Sequence, residues 1–488
     1  MKTMKTIIKS TILCLIVALT SVSCHKDLTI VQKGALTTNE AWASAEDAET
    51  CMNGMLSQFR AAYATAYMFW GEYRSGIWGE GMSSRPVSQN VFQNKIDQGN
   101  EYTDWQSLYT TINTANVILK HAPELDFSGK EARYNKVMGS AYYTRAFCYY
   151  WIARVWGTAP LQLRGLESYD LELLYPHPAT KDAILAQVEL DLNAAAEHLA
   201  TVPVEVNRPN INAVNTLKTD YYLWMNKVEK DASALAKARA ACNAVLGKAS
   251  LLSSYADIFD VKKKNNAEEI FVWSMIKDEK EGGFASEWLI PLQYCTTSYH
   301  ENPVKVGSHQ QWMFLTPDHQ AFLTADKSDT RAKVTFDSFY DSGTKLDLKW
   351  INKFAGTWSN GARVFDSDII VYRYADVLLF DAEIALAEGN ADKAIEQINV
   401  VAERAYGKEN FYAKGKTDAE VKDILVNERL KEFTAEGKIW WDFIRLGVVF
   451  DKVPSLNGKE NNKNILLWPI SKASLDDNQN LTQTEIEL

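Results

Sequence analysis

Length, composition and charge narrow the classes to which this chain can belong. With 488 residues, of which 46% are hydrophobic and 23% charged, it can bury a large core and has the composition of an ordinary folded protein. Its net charge of -10, with no basic stripe, argues against a nucleic-acid binder that follows a phosphate backbone. Solubility is a sufficient explanation of that charge.

The amino terminus predicts a secretory signal peptide over residues 1–23. Lysines precede an apolar run at 12–19 that is too short to span a bilayer. The small residues 21–23 then lead directly to Cys24. An ordinary signal-peptidase cut is one interpretation, and lipidation of Cys24 as the first residue of a bacterial lipoprotein is the other. We expect lipidation, with residues 24–35 as a polar tether.

Helical periodicity dominates much of the amino-terminal half. Apolar residues recur three and four positions apart in 41–63 and 103–156, and further amphipathic runs cover 180–199, 212–228 and 234–247. Neighbouring runs of this kind predict helix pairs, but their spacing is irregular. We therefore expect a degenerate array of tetratricopeptide-like hairpins and not a regular solenoid.

Two stretches break this pattern and carry many aromatic residues. Residues 65–99 combine Gly, Ser and Pro with Trp and Tyr, which is typical of binding loops on a rigid frame. Residues 253–366 lose the helical period for about a hundred positions, far more than an ordinary connection. Apart from short pieces such as 269–273, no sustained strand alternation replaces it. So long a region predicts a function, or short structure that the pattern does not reveal.

The most informative stretch lies near the carboxyl end. Residues 371–388 predict an amphipathic helix, Gly389-Asn390 predicts a turn, and 391–405 predicts a second helix that folds back on the first. Alanines on both helices let the two axes approach closely. A third helix is expected to begin at Thr417, whose hydroxyl can form a capping box with Glu420.

Four carboxylates on that third helix and its exit are candidate catalytic groups, because a glycosidase pair is defined in space and not by sequence spacing. They are Glu428, Glu432, Glu436 and Asp442. Basic residues alternate with them at Arg429, Lys431 and Arg445, which favours internal salt links. We therefore expect structural ion pairs, because charges among bulky apolar neighbours need partners.

These carboxyl-terminal residues resemble those of the SusD/RagB family of outer-membrane nutrient-uptake lipoproteins. The similarity rests on the Arg-Tyr-Ala-Asp-Val-Leu-Leu run of 373–379 and on Ile398-Asn399, Arg404-Ala405, Glu428-Arg429, Glu432, Glu436-Gly437, Trp440, Asp442 and Arg445. Ala402 and Ile439 depart from it, because the family usually has Arg at both positions. We expect altered ion pairing there and no change of fold.

The resemblance extends into the amino-terminal half and the tail. It includes the Trp105-x-x-Leu108-Tyr109-x-x-Ile112-x-x-Ala115-Asn116 pattern, the run 145–150 followed by Gly157 and Pro160, and the segments 466–470 and 480–484. It therefore spans most of the mature chain.

This resemblance implies an all-α, SusD-like fold of degenerate TPR-like helical hairpins with a large irregular, loop-rich region. It implies a non-enzymatic lipoprotein, exposed on the cell outer membrane, that captures a glycan and hands it to a SusC-like TonB-dependent transporter. The lipid anchor that it implies favours lipidation of Cys24. We expect residues 36–250 to form an amino-terminal helical region and 251–488 a carboxyl-terminal region of a single compact body.

Aromatic residues provide the candidate ligand site. The chain has 15 Trp, 22 Tyr and 19 Phe. A flat ring beside a polar side chain suits the apolar face and the hydroxyl rim of a sugar. We expect Trp78, Trp288, Tyr299 and Trp312 to act as stacking platforms and Arg85 as a hydroxyl-binding cation. These residues are assigned from their chemistry and are not carried over from the family.

No motif predicts a metal, a cofactor or a catalytic nucleophile. The chain contains neither Gly-x-Ser-x-Gly, nor Gly-x-x-x-x-Gly-Lys, nor His-Glu-x-x-His. His300, His309 and His319 fit no short metal motif and are expected to be solvated loop residues. The cysteines form no Cys-x-x-Cys pair, and a bridge between Cys51 and Cys295 stays open.

Three alternatives to a glycan receptor remain at this point. The first is a peptide-capturing relative with the same transporter partner. The second is a secreted glycosidase on a helical frame, and the third is a scaffold without a small ligand.

Overall fold

The computed structural model describes residues 42–279, 282–294 and 309–487. The predicted signal peptide, Cys24 with its tether, and Tyr299 lie outside these residues, as does Cys295. The described residues from Ser44 onward pack into one unit.

Sixteen α-helices form within these ranges. In chain order they are α1 Ala45–Gly71, α2 Pro86–Phe92, α3 Gln106–His121, α4 Glu131–Val155, α5 Leu171–Leu174, α6 Lys181–Leu199, α7 Ile211–Lys227, α8 Ala234–Val245, α9 Pro317–Thr324, α10 Arg331–Thr335, α11 Tyr374–Ala387, α12 Ala391–Tyr406, α13 Asp418–Phe433, α14 Ile439–Arg445, α15 Val449–Lys452 and α16 Lys472–Asp477. In the described part of the chain, no helix has the length and apolar character that a membrane crossing requires. The predicted helical class is confirmed.

Short strands supply the remaining regular structure of the described residues. They are β1 Trp78–Glu80, β2 Ala159–Pro160, β3 Pro178–Ala179, β4 Glu269–Trp273, β5 Met313–Leu315, β6 Phe336–Asp341, β7 Leu346–Ile351, β8 Thr357–Ser359, β9 Ala362–Val364 and β10 Ile369–Arg373. They form two-stranded antiparallel sheets that pair β1 with β5, β2 with β3, β4 with β10, β6 with β7 and β8 with β9. Several of them lie in 253–366, which therefore contains short structure that its sequence pattern did not reveal.

Helix pairs build the frame, as the sequence predicted. α3 packs against α4, α4 against α6, α7 against α8, and α11 against α12. Their facing side chains are apolar and fully buried, as Ile112 of α3 and Val188 of α6 illustrate. The prediction of helix hairpins with irregular spacing is confirmed.

Two helices differ from their predicted form where their residues are buried on all sides. α1 continues through residues 65–71, where we expected a loop, and every residue from Ala66 to Gly71 is buried. α11 begins at Tyr374 and not at Val371, because β10 occupies the preceding residues. All its residues from Ala375 to Ala385 are buried. The helix therefore lacks the exposed face that the prediction of an amphipathic helix implied. When a helix is buried on all sides, the spacing of its apolar residues does not show where the helix begins and ends.

Two helix ends follow local sequence signals as predicted. At the start of α13, the Thr417 hydroxyl accepts a hydrogen bond from Glu420 N at 3.3 Å, and the Glu420 carboxylate accepts one from Thr417 N at 2.8 Å. Between α11 and α12, Gly389 has a φ of +77°, and the Asn390 side chain accepts a hydrogen bond from Lys393 N at 3.0 Å. The predicted capping box and turn are confirmed.

A buried network of ion pairs joins the carboxyl-terminal helices to the strand pair β4 and β10. Arg373 is fully buried and pairs with Glu432 at 2.5 Å, with Glu436 at 2.9 Å and with Glu268 at 2.9 Å. Arg404 pairs with Glu268 at 2.7 Å and also with Glu432. We call these five residues the ionic core.

Further buried cations extend the ionic core. Lys353 Nζ lies 2.9 Å from the carboxylate of Glu436, and Arg331 lies 2.8 Å from Glu428 and 3.2 Å from Glu432. Burial alone would raise the pKa of Glu436, but Arg373 and Lys353 outweigh it and hold that pKa at about 2. The Glu436 carboxylate therefore stays ionised within the fold.

A second buried cluster surrounds Arg445. This residue pairs with Glu383 at 3.0 Å and with Asp442 at 2.8 Å, and Arg429 pairs with Asp442 at 2.8 Å. The structural ion pairs predicted for the third helix and its exit are thereby confirmed. Ala402 and Ile439, where the family usually has Arg, are fully buried and contribute apolar packing.

Two histidines lie in the interior, although the sequence predicted that they would be solvated loop residues. His309 Nδ1 lies 3.2 Å from the Ile290 carbonyl oxygen, and His319 Nε2 lies 2.9 Å from the Thr434 hydroxyl. Burial lowers the pKa of His309 to about 4 and that of His319 to about 3, so both rings are neutral at neutral pH. His300 lies outside the described residues.

Replacing Arg373 by Ala should lower the free energy of unfolding by about 3–5 kcal/mol, because its carboxylate partners would remain buried without their shared cation. Urea denaturation followed by Trp fluorescence measures this loss.

The control for this experiment is Arg133→Ala. Arg133 pairs with Glu46 at 2.8 Å and with Glu49 at 2.5 Å, but these side chains are partly open to solvent, so a much smaller loss is expected. Equal losses from the two variants would contradict the importance of the ionic core.

Candidate functional site

The pairing of β1 with β5 builds the candidate ligand site. The pairing continues past the ends of both strands, where Gly81 N donates to Trp312 O at 3.1 Å and Ser83 N donates to Gln311 O at 3.2 Å. Residues 81–85 are therefore held directly beside Trp312.

This close approach requires glycine at position 81. A Cβ atom added to Gly81 would lie 2.1 Å from the Gln311 carbonyl oxygen, far inside van der Waals contact. Gly79, two residues earlier, has room, because a Cβ there would meet only Thr316 Cγ2 at 3.6 Å. The sequence therefore places a glycine that cannot be replaced without strain at the point where the loop leaves the strand.

Arg85 covers one face of the Trp312 indole. Its guanidinium carbon lies 4.4 Å from the ring, and its Nη1 donates to the Tyr102 hydroxyl at 3.2 Å. Arg85 also pairs with Glu101 and, at 3.5 Å, with Glu287. Arg85 and Trp312 are both half-buried, so part of each remains open to solvent. We call these five residues the Arg85 face.

Glu287 gives the Arg85 face a carboxyl group that titrates near neutral pH. Burial raises its pKa to about 7, while Arg85 opposes this rise and the nearby charge of Glu101 adds to it. Such a group donates a hydrogen bond when protonated and accepts one when ionised. With the Tyr102 hydroxyl and the guanidinium, it forms a polar rim around the indole.

Trp78 and Trp288 lie beneath this face and not on it. Their exposed fractions are 2% and 1%, and their rings are 5.7 Å apart. The Trp78 indole donates to Glu72 at 3.0 Å, and the Trp288 indole donates to the Tyr73 hydroxyl at 2.7 Å. Because neither ring is open to a sugar, their predicted role as stacking platforms is not supported. Both rings instead pack in the interior, beneath the pairing of β1 with β5.

The structure thus brings together Arg85 and Trp312 among the predicted ligand residues, and Tyr299 lies outside the described residues. Sequence reasoning missed Tyr102 and Glu287. Tyr102 lies in a short turn before α3, and Glu287 lies in the short 3₁₀ helix Gly283–Trp288. No sequence signal marks either residue, because their contacts with Arg85 join distant parts of the chain.

The carboxylates that were considered as catalytic candidates are not accessible to a substrate. Glu428, Glu432 and Glu436 are completely buried, and Asp442 is 3% exposed. The charged cavity beside Asp442 and Arg154 holds only about 40 Å³, room for one or two water molecules. Across the described ranges, no group of three or more His, Cys, Asp or Glu side chains is placed to hold a metal ion.

Comparison with sequence families matches two separate stretches of the chain. A family described as the SusD family matches residues 335–486. A family described as starch-binding associating with outer membrane matches residues 41–223. The second stretch contains Arg85 and Tyr102, and the first contains most of the ionic core.

Individual relatives match along nearly their whole length. SusD-like protein P38 of Formosa agariphila is 24% identical over 94% of this chain and 95% of its own. Among solved structures, Bacteroides fragilis NanU has a TM-score of 0.80 at 23% identity and covers 93% of this chain and 99% of its own. A SusD superfamily protein of Bacteroides vulgatus has a TM-score of 0.78 at 25% identity, covering 91% of this chain and 99% of its own. The predicted SusD-like fold is confirmed.

The Gly81→Ala variant should lose about 1–3 kcal/mol of unfolding free energy, because its methyl group overpacks the contact with Gln311 O. The Gly79→Ala variant is the matched control and should be nearly neutral. Thermal denaturation of both variants checks the expectation. Equal stability of the two would show that the strand pairing tolerates a side chain at position 81.

Proposed function

Because this chain belongs to the SusD/RagB family, we propose that it is a lipid-anchored receptor on the outer-membrane surface that captures a glycan and delivers it to a SusC-like TonB-dependent transporter. Association with the outer membrane and glycan binding agree with the description of the family that matches its amino-terminal half. The single observation that carries the glycan assignment is the Arg85 face, a partly open indole with a polar rim.

The chemistry of the Arg85 face suits a sugar ring. The C–H groups of one sugar face can pack on the open part of the Trp312 indole. The hydroxyls at the sugar's edge can then bond to the Arg85 guanidinium, the Tyr102 hydroxyl and the Glu287 carboxyl group. We propose these four residues as ligand contacts, and Tyr299 remains a proposed fifth.

The site is pre-organised by what lies beneath it. The indole N–H groups of Trp78 and Trp288 are held by buried hydrogen bonds to Glu72 and Tyr73. A rigid floor reduces the entropy that a ligand must lose on binding, because the loop is already fixed in place. Capture and delivery need no covalent step, so we propose that the protein is not an enzyme.

A lipid anchor at Cys24 would keep the receptor close to its transporter. Two partners confined to one membrane meet at a higher effective concentration than two free proteins. A moderate affinity for the glycan then suffices, because release of the cargo occurs beside the transporter that takes it up.

Trp312→Ala and Arg85→Ala, made singly, should each weaken retention of the protein in an affinity gel by about tenfold, the effect of losing about 1.4 kcal/mol of contact energy. The gel contains the polysaccharide that a panel of polysaccharides and peptides identifies as the best ligand. Trp288→Ala should instead lower thermal stability, because its ring is buried.

The matched control is Trp358→Ala. Trp358 is also half-buried beside an arginine, Arg363, whose guanidinium carbon lies 5.9 Å from its ring, but it belongs to β8 and not to the Arg85 face. Its loss should leave retention unchanged. Equal effects at Trp312 and Trp358 would contradict the assigned site, and binding of peptides alone would replace the glycan by a peptide cargo.

Cys24→Ala should release the protein from the membrane fraction, because the thiol that carries the lipid is lost. Fractionation of cells followed by immunoblotting measures the change. Cys51→Ala serves as the control, since Cys51 is a half-buried thiol within α1. Unchanged fractionation of the Cys24 variant would exclude lipidation at this residue.

A further inference from the structure

Exposed apolar side chains are concentrated in one short segment of the described structure. They are Leu163 at 42%, Leu166 at 37%, Tyr169 at 82%, Leu171 at 56%, Leu174 at 36% and Tyr175 at 45% exposure. The other large apolar side chains with comparable exposure in the described ranges are scattered over distant positions, such as Leu190 and Tyr340. We call residues 163–175 the apolar segment. Clustered exposure of this kind marks an interaction surface.

The main chain of the apolar segment is held in place at both of its ends. Leu166 N donates to the Asn113 side chain at 2.6 Å, and the Asn116 side chain donates to Arg164 O at 3.3 Å. At the other end, the side chain of Asn480 donates to Tyr175 O at 2.7 Å. The leucines and tyrosines are therefore displayed by a fixed backbone.

The surface of the apolar segment is shaped to receive side chains. A groove of about 430 Å³ is lined by Leu163, Leu173 and Lys120, and one of about 410 Å³ is lined by Leu174 and Trp105 with neighbouring residues. Leu163, Leu173 and Leu174 line these grooves, whereas Tyr169 and Leu171 are exposed and line neither groove. Alternating projections and grooves match the side chains of a folded protein surface better than a flat lipid layer.

Charge also favours a protein partner with basic side chains. The apolar segment carries Arg164 against three carboxylates, Glu167, Asp170 and Glu172. Lys120, which lines the adjoining groove, pairs with Glu167, so one carboxylate remains in excess. Glu172 is highly exposed, and Arg164 reaches it at 3.2 Å. The excess of acid repels anionic lipid headgroups. It also disfavours a twofold contact with a second copy, which would bring like charges together.

The position of the apolar segment links it to the Arg85 face. The groove beside Leu174 is also lined by Asp104 and Trp105, at the start of α3. Tyr102 of the Arg85 face lies only two residues before Asp104. A protein that covers the apolar segment would therefore border the proposed ligand contacts.

We propose that the apolar segment is the surface through which this protein docks on its transporter, against an apolar extracellular region of that transporter bordered by Lys or Arg. This inference rests on the proposed function. Tyrosines surrounded by leucines are typical of the centres of protein interfaces. Docking at this place sets the captured glycan next to the entrance that receives it.

Photo-crosslinking of the full-length, membrane-anchored protein in its native cells tests the proposal. With Tyr169→p-benzoylphenylalanine, we expect cross-linked peptides that map to an extracellular loop of a TonB-dependent transporter. Tyr340→p-benzoylphenylalanine is the matched control, because Tyr340 is also a tyrosine and is 60% exposed. Cross-links only to lipid, only to a second copy, or equally from both positions would overturn the proposal, as would their absence.

A second measurement separates docking from ligand binding. Tyr169→Ser combined with Leu171→Ser should reduce co-purification with the transporter at least tenfold, while Leu190→Ser, at another exposed leucine, should not. Retention of the glycan by the double variant should equal that of the unchanged protein. Undiminished co-purification of the double variant would overturn the assignment of the docking surface. Cross-linking to the transporter without any glycan binding would overturn the proposed cargo and leave the docking proposal intact.

Discussion

The pairing of Arg373 with three carboxylates is the constraint on which the rest of the structure depends. Its partners Glu268, Glu432 and Glu436 come from the residue before β4 and from the end of α13 and its exit. Removing each of these charges from water costs several kcal/mol, and only their mutual contact offsets that cost. We infer that apolar burial drives folding, while the ionic core admits only the arrangement in which all of these segments meet.

The Arg85 face is connected to this core through a single turn. Glu436 lies in the turn that follows α13, and the flanking N–H groups of Ala435 and Gly437 each donate to the buried carboxylate of Glu72 at 2.6 Å. The same carboxylate accepts the indole N–H of Trp78. The floor of the candidate ligand site is therefore fixed by the turn that also supplies a carboxylate to Arg373.

Features whose interacting residues lie close together in the sequence could be predicted, whereas contacts between residues far apart in the sequence could not. The capping box at Thr417 and the turn at Gly389 have their partners within four residues, and both were predicted. The burial of Trp288 was not, because its hydrogen-bond partner Tyr73 lies 215 positions away. Arg85 and Trp312 were each proposed from their chemistry alone. Their contact follows from the pairing of β1 with β5, which no local pattern specifies.

The two-stranded sheets have a consequence for how a chain of this fold can change over time. The hairpins β6–β7 and β8–β9 are two-stranded sheets that, within the described residues, pair with no third strand. Their turns, at 342–345 and 360–361, are largely exposed, and exposed loop tips accept insertions readily. A lineage can therefore exchange these tips while inheriting the interior unaltered, and so change its surface without having to evolve a new fold.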